Sequence, residues 1–155
     1  MQKISIGVMG LPVRKTNGEL EFLLSRRYQP GKPLWHNKWQ QIGGGMEWGE
    51  TPEQTLAREF EEEASVSVRI LYPHPIIATS TWMAKDSKST HDSHILLLTY
   101  IVSIDNQSFD KNGADEETTQ IKWFNVDEAF ELDCLPNLQE NILKSRDLVE
   151  KEKLV

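Results

Sequence analysis

Four charged residues in one short stretch carry the chemistry. Arg58 precedes Glu59, Glu62 and Glu63, and Glu50 stands eight positions before Arg58. Residues three and four apart share a helix face, so Glu59, Glu62 and Glu63 are expected to project together if the segment is helical. Three like charges on one arc repel, so the arrangement calls for a cation among them. Carboxylate oxygens alone suit a hard divalent ion, Mg²⁺ or Mn²⁺.

The spacing over 44–66 resembles the Nudix box, a glycine, a glutamate six positions on, then Arg-Glu and Glu-Glu in a fixed frame. Gly44, Glu50, Arg58, Glu59, Glu62, Glu63 and Val66 match that pattern. Phe60 is aromatic where the box has an aliphatic, and Ser65 stands where a glycine closes the helix. The resemblance implies cleavage of a pyrophosphate linked to a further group, commonly a nucleoside. It implies Glu59, Glu62 and Glu63 as metal ligands, with Glu62 or Glu59 orienting the attacking water. The carbonyl of Gly43 is implied as a further ligand. Arg58 is expected to pair with a box glutamate, and Glu50 to support the loop–helix junction. One more acid often comes from the loop before the last strand. Asp115, Glu116 and Glu117 lie there, and Glu117 or Glu116 would complete the site.

Substrate determinants are sought near the same segment. Arg26 and Arg27 end a strand leading toward it, and alternation lets only one point inward. Trp35, His36, Asn37, Lys38 and Trp39 precede the glycines. An aromatic there could stack on a base, and Asn37 or Lys38 could bond to its edge or to a phosphate. Trp39 reads more readily as a buried structural residue. His91 and His94 flank Asp92, but loop and strand context makes the grouping incidental. The proline that marks Nudix ADP-ribose hydrolases is missing from Ser80-Thr81-Trp82. The resemblance then favours a MutT-like enzyme that converts a (d)NTP to a (d)NMP and pyrophosphate. The alternatives are an NDP-sugar or dinucleoside polyphosphate hydrolase, or a regulatory module that binds nucleotides without turnover.

These residues need a scaffold, and its elements are partly legible. Thr51, Pro52 and Gln54 form a helix start with a capping box, and the helix should run to Ala64. Leu56, Ala57, Phe60 and Ala64 make its apolar arc, with Glu63 nearest to it and so expected to be the most desolvated. Asn17-Gly18 is a hairpin turn between strands over 3–13 and 21–26. Further strands are expected over 39–42, feeding a glycine turn, then over 67–71, 76–83, 93–104 and 118–126. The stretch 84–92 reads as a loop. A short helix begins at Val126, and a C-terminal helix covers about 136–151. The class is α/β, a Nudix-like α/β/α sandwich with a mixed sheet, and residues 1–155 are expected to be one domain.

Bulk composition narrows the partners. The chain of 155 residues carries a net charge of −7. Residues 1–41 hold seven Lys/Arg against two acids, whereas 42–63 hold seven acids against Arg58. An acidic protein is not expected to keep a stable nucleic-acid partner, but a basic segment beside an acidic one suits a phosphate ligand with its metal. No apolar run approaches a membrane span, and no signal peptide is evident at the N-terminus. A single cysteine, Cys134, fits a reducing, cytoplasmic setting. A homodimer is compatible with the family resemblance.

Overall fold

The computed structural model describes residues 3–82 and 93–155, with Trp82 as backbone only. The expected loop over 84–92, with His91 and Asp92, lies outside the described residues. One long strand, β1 (Ile4–Thr16), organises the sheet. Its residues 4–12 pair in parallel with β7 (Ser93–Ser103). On its other side residues 7–10 pair antiparallel with β4 (Ile42–Gly45). Residues 13–16 then turn through Asn17 and Gly18, both at positive φ, into β2 (Glu19–Arg27). Positive φ at both central positions is what a tight hairpin of matching twist requires. β2 pairs with β8 (Thr118–Asn125) and with the short β3 (Trp39–Gln40). β7 carries β5 (Arg69–Ile70) and β6 (Ile76–Trp82). The sheet is mixed, and it opens into two wings where β1 passes from β4 to β2.

Helices cover both faces. α1 (Pro52–Ala64) packs Leu56, Phe60 and Ala64 against Val8, Leu23, Tyr100 and Val102. α2 (Val126–Phe130) and α3 (Leu138–Glu152) cover Leu11, Val13, Phe22, Leu24 and Ile101. Neighbours in sequence, Phe22 and Leu23 or Tyr100 and Ile101, go to opposite helices, as the two-residue period of a strand dictates. The architecture is an α/β/α sandwich. A Cβ on Gly10 would stand 2.6 Å from the Phe60 ring, so α1 lies directly on the β1 backbone there. Among the described residues no helix is long and apolar enough to cross a membrane.

Two local expectations change. The glycines at 43–45 are not a turn: they are strand β4, hydrogen-bonded to β1 through residues 7–9. The reversal comes later, at Glu47 to Glu50, with Gly49 at φ 88. The segment 39–42 is not one strand but two, because the chain leaves β2 after Gln40 and joins β1 at Ile42. Gln41 stands alone at the break.

Ser65 resolves the departure at the helix exit. It takes the left-handed conformation, φ 55 and ψ 41, and its N–H donates to Glu61 O while Val66 N–H donates to Phe60 O. This is the closing motif that glycine normally serves. Serine reaches it at a steric cost, since a Cβ disfavours that region by roughly 1 kcal/mol. Ser65→Gly removes that strain but loosens the unfolded chain, so we expect a net gain of about 0.5 kcal/mol in urea unfolding. Equal or lower stability would show that Ser65 bears no strain.

Candidate active site

Arg58 spends every N–H it has. Nε donates to Glu50 Oε1 at 2.6 Å and Nη2 to Glu50 Oε2 at 3.0 Å, a bidentate pair. Nη2 also donates to Gly45 O at 3.1 Å, which ties α1 to β4. Nη1 reaches Glu59 Oε1 at 2.9 Å and Glu62 Oε2 at 3.4 Å. A planar fork with five donors can do this, and an ammonium group cannot. Glu50 completes its own shell with the Glu47 N–H and the Thr55 hydroxyl. Arg58, then Glu47 and Thr55, hold its carboxyl down at about 2, so it is ionised across the working range. All its lone pairs face protein donors, which makes Glu50 the clamp of the turn.

Glu63 lives in the opposite environment. It is 3% exposed, its Oε1 accepts from Thr118 Oγ1 at 3.0 Å, and its Oε2 from Gly43 N at 3.4 Å. Ser25 Oγ is buried without a partner at bonding distance, yet stands near enough to favour the ionised carboxylate. Burial outweighs these groups, and Asp115 adds repulsion, so the carboxyl is pushed up to about 7. Glu59 is raised too, first by burial and then by Glu62 and Asp115, with Arg58 opposing. A Cβ on Gly44 would lie 2.5 Å from Glu59 Oε1, so the bare Gly44 is what lets this carboxylate rest on the strand. Gly43 has φ +149, and its Cβ would meet Val8 O at 2.2 Å, so only glycine fits there.

A cleft of about 290 Å³ opens beside these groups. Glu59, Glu63, Asp115, Glu117 and the backbone of residues 43–45 line it, together with Arg27. Burial lowers the pKa of Arg27, and Glu117, Glu63 and Asp115 work against that. Its guanidinium lies 4.8 Å from the Trp35 ring and bonds to Gln29 and Gln40. Met9, Leu97, Leu135 and Leu138 supply apolar wall.

The other expected residues are placed elsewhere. Arg26 turns outward and donates to Asn37 O, a strand irregularity separating it from Arg27. Asn37 takes φ 60 and bonds through its backbone to Arg27 O. Lys38 pairs with Asp133 at 2.6 Å. Trp39 is buried edge-on against Phe124. None of these four lines the cleft. Glu62, with its side chain 55% exposed, is also outside the lining, and so is Glu116. The three box glutamates therefore do not project as one group: Glu59 and Glu62 share Arg58, while Glu63 turns inward. Among the described residues no three acids already enclose a common point. Sequence reasoning gave no role to Ser25, Thr118 or Gln41. Thr118 is 55 positions from Glu63, and nothing local signals such a contact.

The glycine strand, the clamped turn and the acid-bearing helix coincide with a known pattern. The family model of the NUDIX domain matches residues 4–145. The chain belongs to the Nudix family. An Ap4A hydrolase of C. elegans, solved as a binary complex, has a TM-score of 0.68 at 18% identity, covering 96% of this chain and 98% of its own. A MutT Nudix hydrolase from Burkholderia pseudomallei has a TM-score of 0.65 at 17% identity, covering 93% and 98%. At such identities the likeness is one of fold. An RNA pyrophosphohydrolase from Acinetobacter baylyi is 49% identical over 41 residues, 23% of this chain and 25% of its own length. The match spans only a quarter of that relative.

The Nudix helix thus holds a carboxyl that resists ionisation. Between pH 4.5 and about 7 the folded chain keeps a proton on Glu63 that the unfolded chain has lost. Stability without metal therefore falls as pH rises through that window and levels above it. Glu63→Gln removes this cost. In EDTA its unfolding free energy should match wild type near pH 4.5 and exceed it increasingly up to pH 7, the gap reaching roughly 2–3 kcal/mol. A constant gap across the window would show that Glu63 titrates normally.

Proposed function

We propose that the chain hydrolyses nucleoside triphosphates, (d)NTP to (d)NMP and pyrophosphate, with Mg²⁺ or Mn²⁺. The cleft supports this reading. Its acids surround Arg27, and its volume is at the small end for ligand pockets, room for one nucleoside rather than two. The donor set fits a hard cation. Glu59, Glu62, Glu63 and the Gly43 carbonyl offer only oxygen, and the raised Glu59 and Glu63 carboxyls mark a place where positive charge is wanted. Bound there, Mg²⁺ would neutralise phosphate charge and lower the pKa of a water toward ~7 in favourable cases.

The chain's own groups divide the remaining work. Arg27 binds a phosphate oxygen, and Trp35 holds its guanidinium plane against the cleft wall. Arg58 orients Glu59 through Oε1, and Oε2 has no hydrogen-bond partner among the described residues. That oxygen takes the proton of the attacking water as the new P–O bond forms. The bridging P–O bond breaks, and pyrophosphate leaves with the electron pair. A carboxyl whose proton affinity is raised by burial is better matched to this step than a free one. Glu117 lines the same cleft and supports the ion or the water from the opposite side. Cys134 is a free thiol, which suits a cytoplasmic enzyme.

A Mg²⁺-dependent screen of ordinary and oxidised (d)NTPs, NDP-sugars and dinucleoside polyphosphates tests the reading. Pyrophosphate release from triphosphates is expected. Glu59→Gln should lower kcat by ~10²–10⁴ with little change in KM. Cleavage of only NDP-sugars or dinucleotides would overturn the substrate class. Nucleotide binding without turnover would move the chain to a regulatory role.

A further inference from the structure

The break at Gln41 has a chemical consequence. Gln41 is 5% exposed and lines the cleft with Met9, Leu97 and Leu138. Its Oε1 accepts an N–H from Asn141 Nδ2 at 3.2 Å. Asn141 sits on α3, fully buried, and gives its second Nδ2 proton to Thr99 Oγ1 at 3.3 Å. Asn141 Oδ1 has no partner among the described residues. A buried amide left half-satisfied between helix and sheet is costly, and a leucine would pack there without that cost. The arrangement does fix one thing. The Gln41 amide oxygen is committed to Asn141, Nε2 donates to no atom among the described residues, and Gln41 is itself a lining residue of the cleft.

We propose that Gln41 reads the base of the nucleotide and that Asn141 is the positioning residue that sets the amide. The proposal rests on the nucleotide reading of the cleft. Two N–H donors on one nitrogen match two neighbouring acceptors. A 6-oxopurine offers them as O6 and N7, whereas adenine offers N7 beside an amino donor that opposes Gln41. The cleft therefore selects guanine or hypoxanthine nucleotides over adenine ones. Met9, Leu97 and Leu138 give the ring an apolar bed, and the 2-amino group plays no part in the contact.

Calorimetric binding of GMP, IMP and AMP to the full chain with Mg²⁺ tests this, with nucleoside triphosphate cleavage measured separately. GMP and IMP should bind at least about five-fold more tightly than AMP. Gln41→Met, which keeps size and removes the donors, should bring that ratio close to one. Asn141→Asp can only accept, so Gln41 must donate inward and show Oε1 to the cleft; the ratio should then move in favour of AMP. A purely structural Asn141 would change stability and leave the ratio alone. If Asn141→Asp does not fold, Gln41→Met decides the matter. Equal affinities in the wild type, or a ratio unmoved by Gln41→Met, overturn the assignment. The two readings fail separately. Selective GMP binding with no triphosphate cleaved removes the proposed reaction and keeps the role of Gln41. Triphosphate cleavage with GMP and AMP bound alike removes the role of Gln41 alone.

Discussion

The structure turns on how acidic side chains are held together at one end of α1. Seven acids fall within residues 42–63, against one arginine. Arg58 is saturated, and its saturation is uneven. Two bonds go to Glu50, one to the β4 backbone, and one each to Glu59 and Glu62. Glu50 becomes a strong anion and a structural clamp. Glu59 receives a single bond on one oxygen and keeps a raised proton affinity despite it. Neighbouring carboxylates on one arginine are thereby given different properties, which is how a cluster of like residues acquires distinct roles.

Glu63 is set apart by burial rather than by pairing. The wings of the sheet diverge where β1 leaves β4 for β2, and the gap exposes the Gly43 N–H on one side and Ser25 and Thr118 on the other. Glu63 reaches into that gap from α1. Ala114 N–H binds the Glu63 carbonyl at 2.8 Å, so the loop that carries Asp115 and Glu117 is fastened to the same residue. Helix, edge strand and loop therefore meet at one side chain. The acids from the helix and from the loop are held in register with each other by a backbone bond, not by a charge pair.

What was legible in the sequence was local or periodic. The capping box of Thr51 and Gln54, the Asn17-Gly18 hairpin and the apolar arc of α1 at Leu56, Phe60 and Ala64 reappear as expected, because each depends on neighbours a few residues apart, whereas Ala57, expected in the same arc, is exposed. The burial of Glu63 followed from the same arc. The glycines at 43–45 misled, since glycine marks close backbone approach as well as turns, and here β1 and the Glu59 carboxylate provide the approach. The choice between Arg26 and Arg27 hung on a strand irregularity that composition does not reveal. The box spacing placed Glu59, Glu62 and Glu63 on one side of a helix. It could not show that Arg58 would draw two of them away from the third.

That separation bears on how the cleft receives a ligand. Arg27 is the basic side chain that lines it, and it is hemmed in by Glu63, Asp115 and Glu117. One guanidinium cannot offset those carboxylates and a polyphosphate together, so an anionic ligand alone meets net repulsion there. A ligand that arrives with divalent charge reverses the balance, because the same carboxylates then stabilise the ion that the phosphates carry. On the proposed reading, the cleft would discriminate against free phosphates and in favour of their metal complexes before any contact with the base is made.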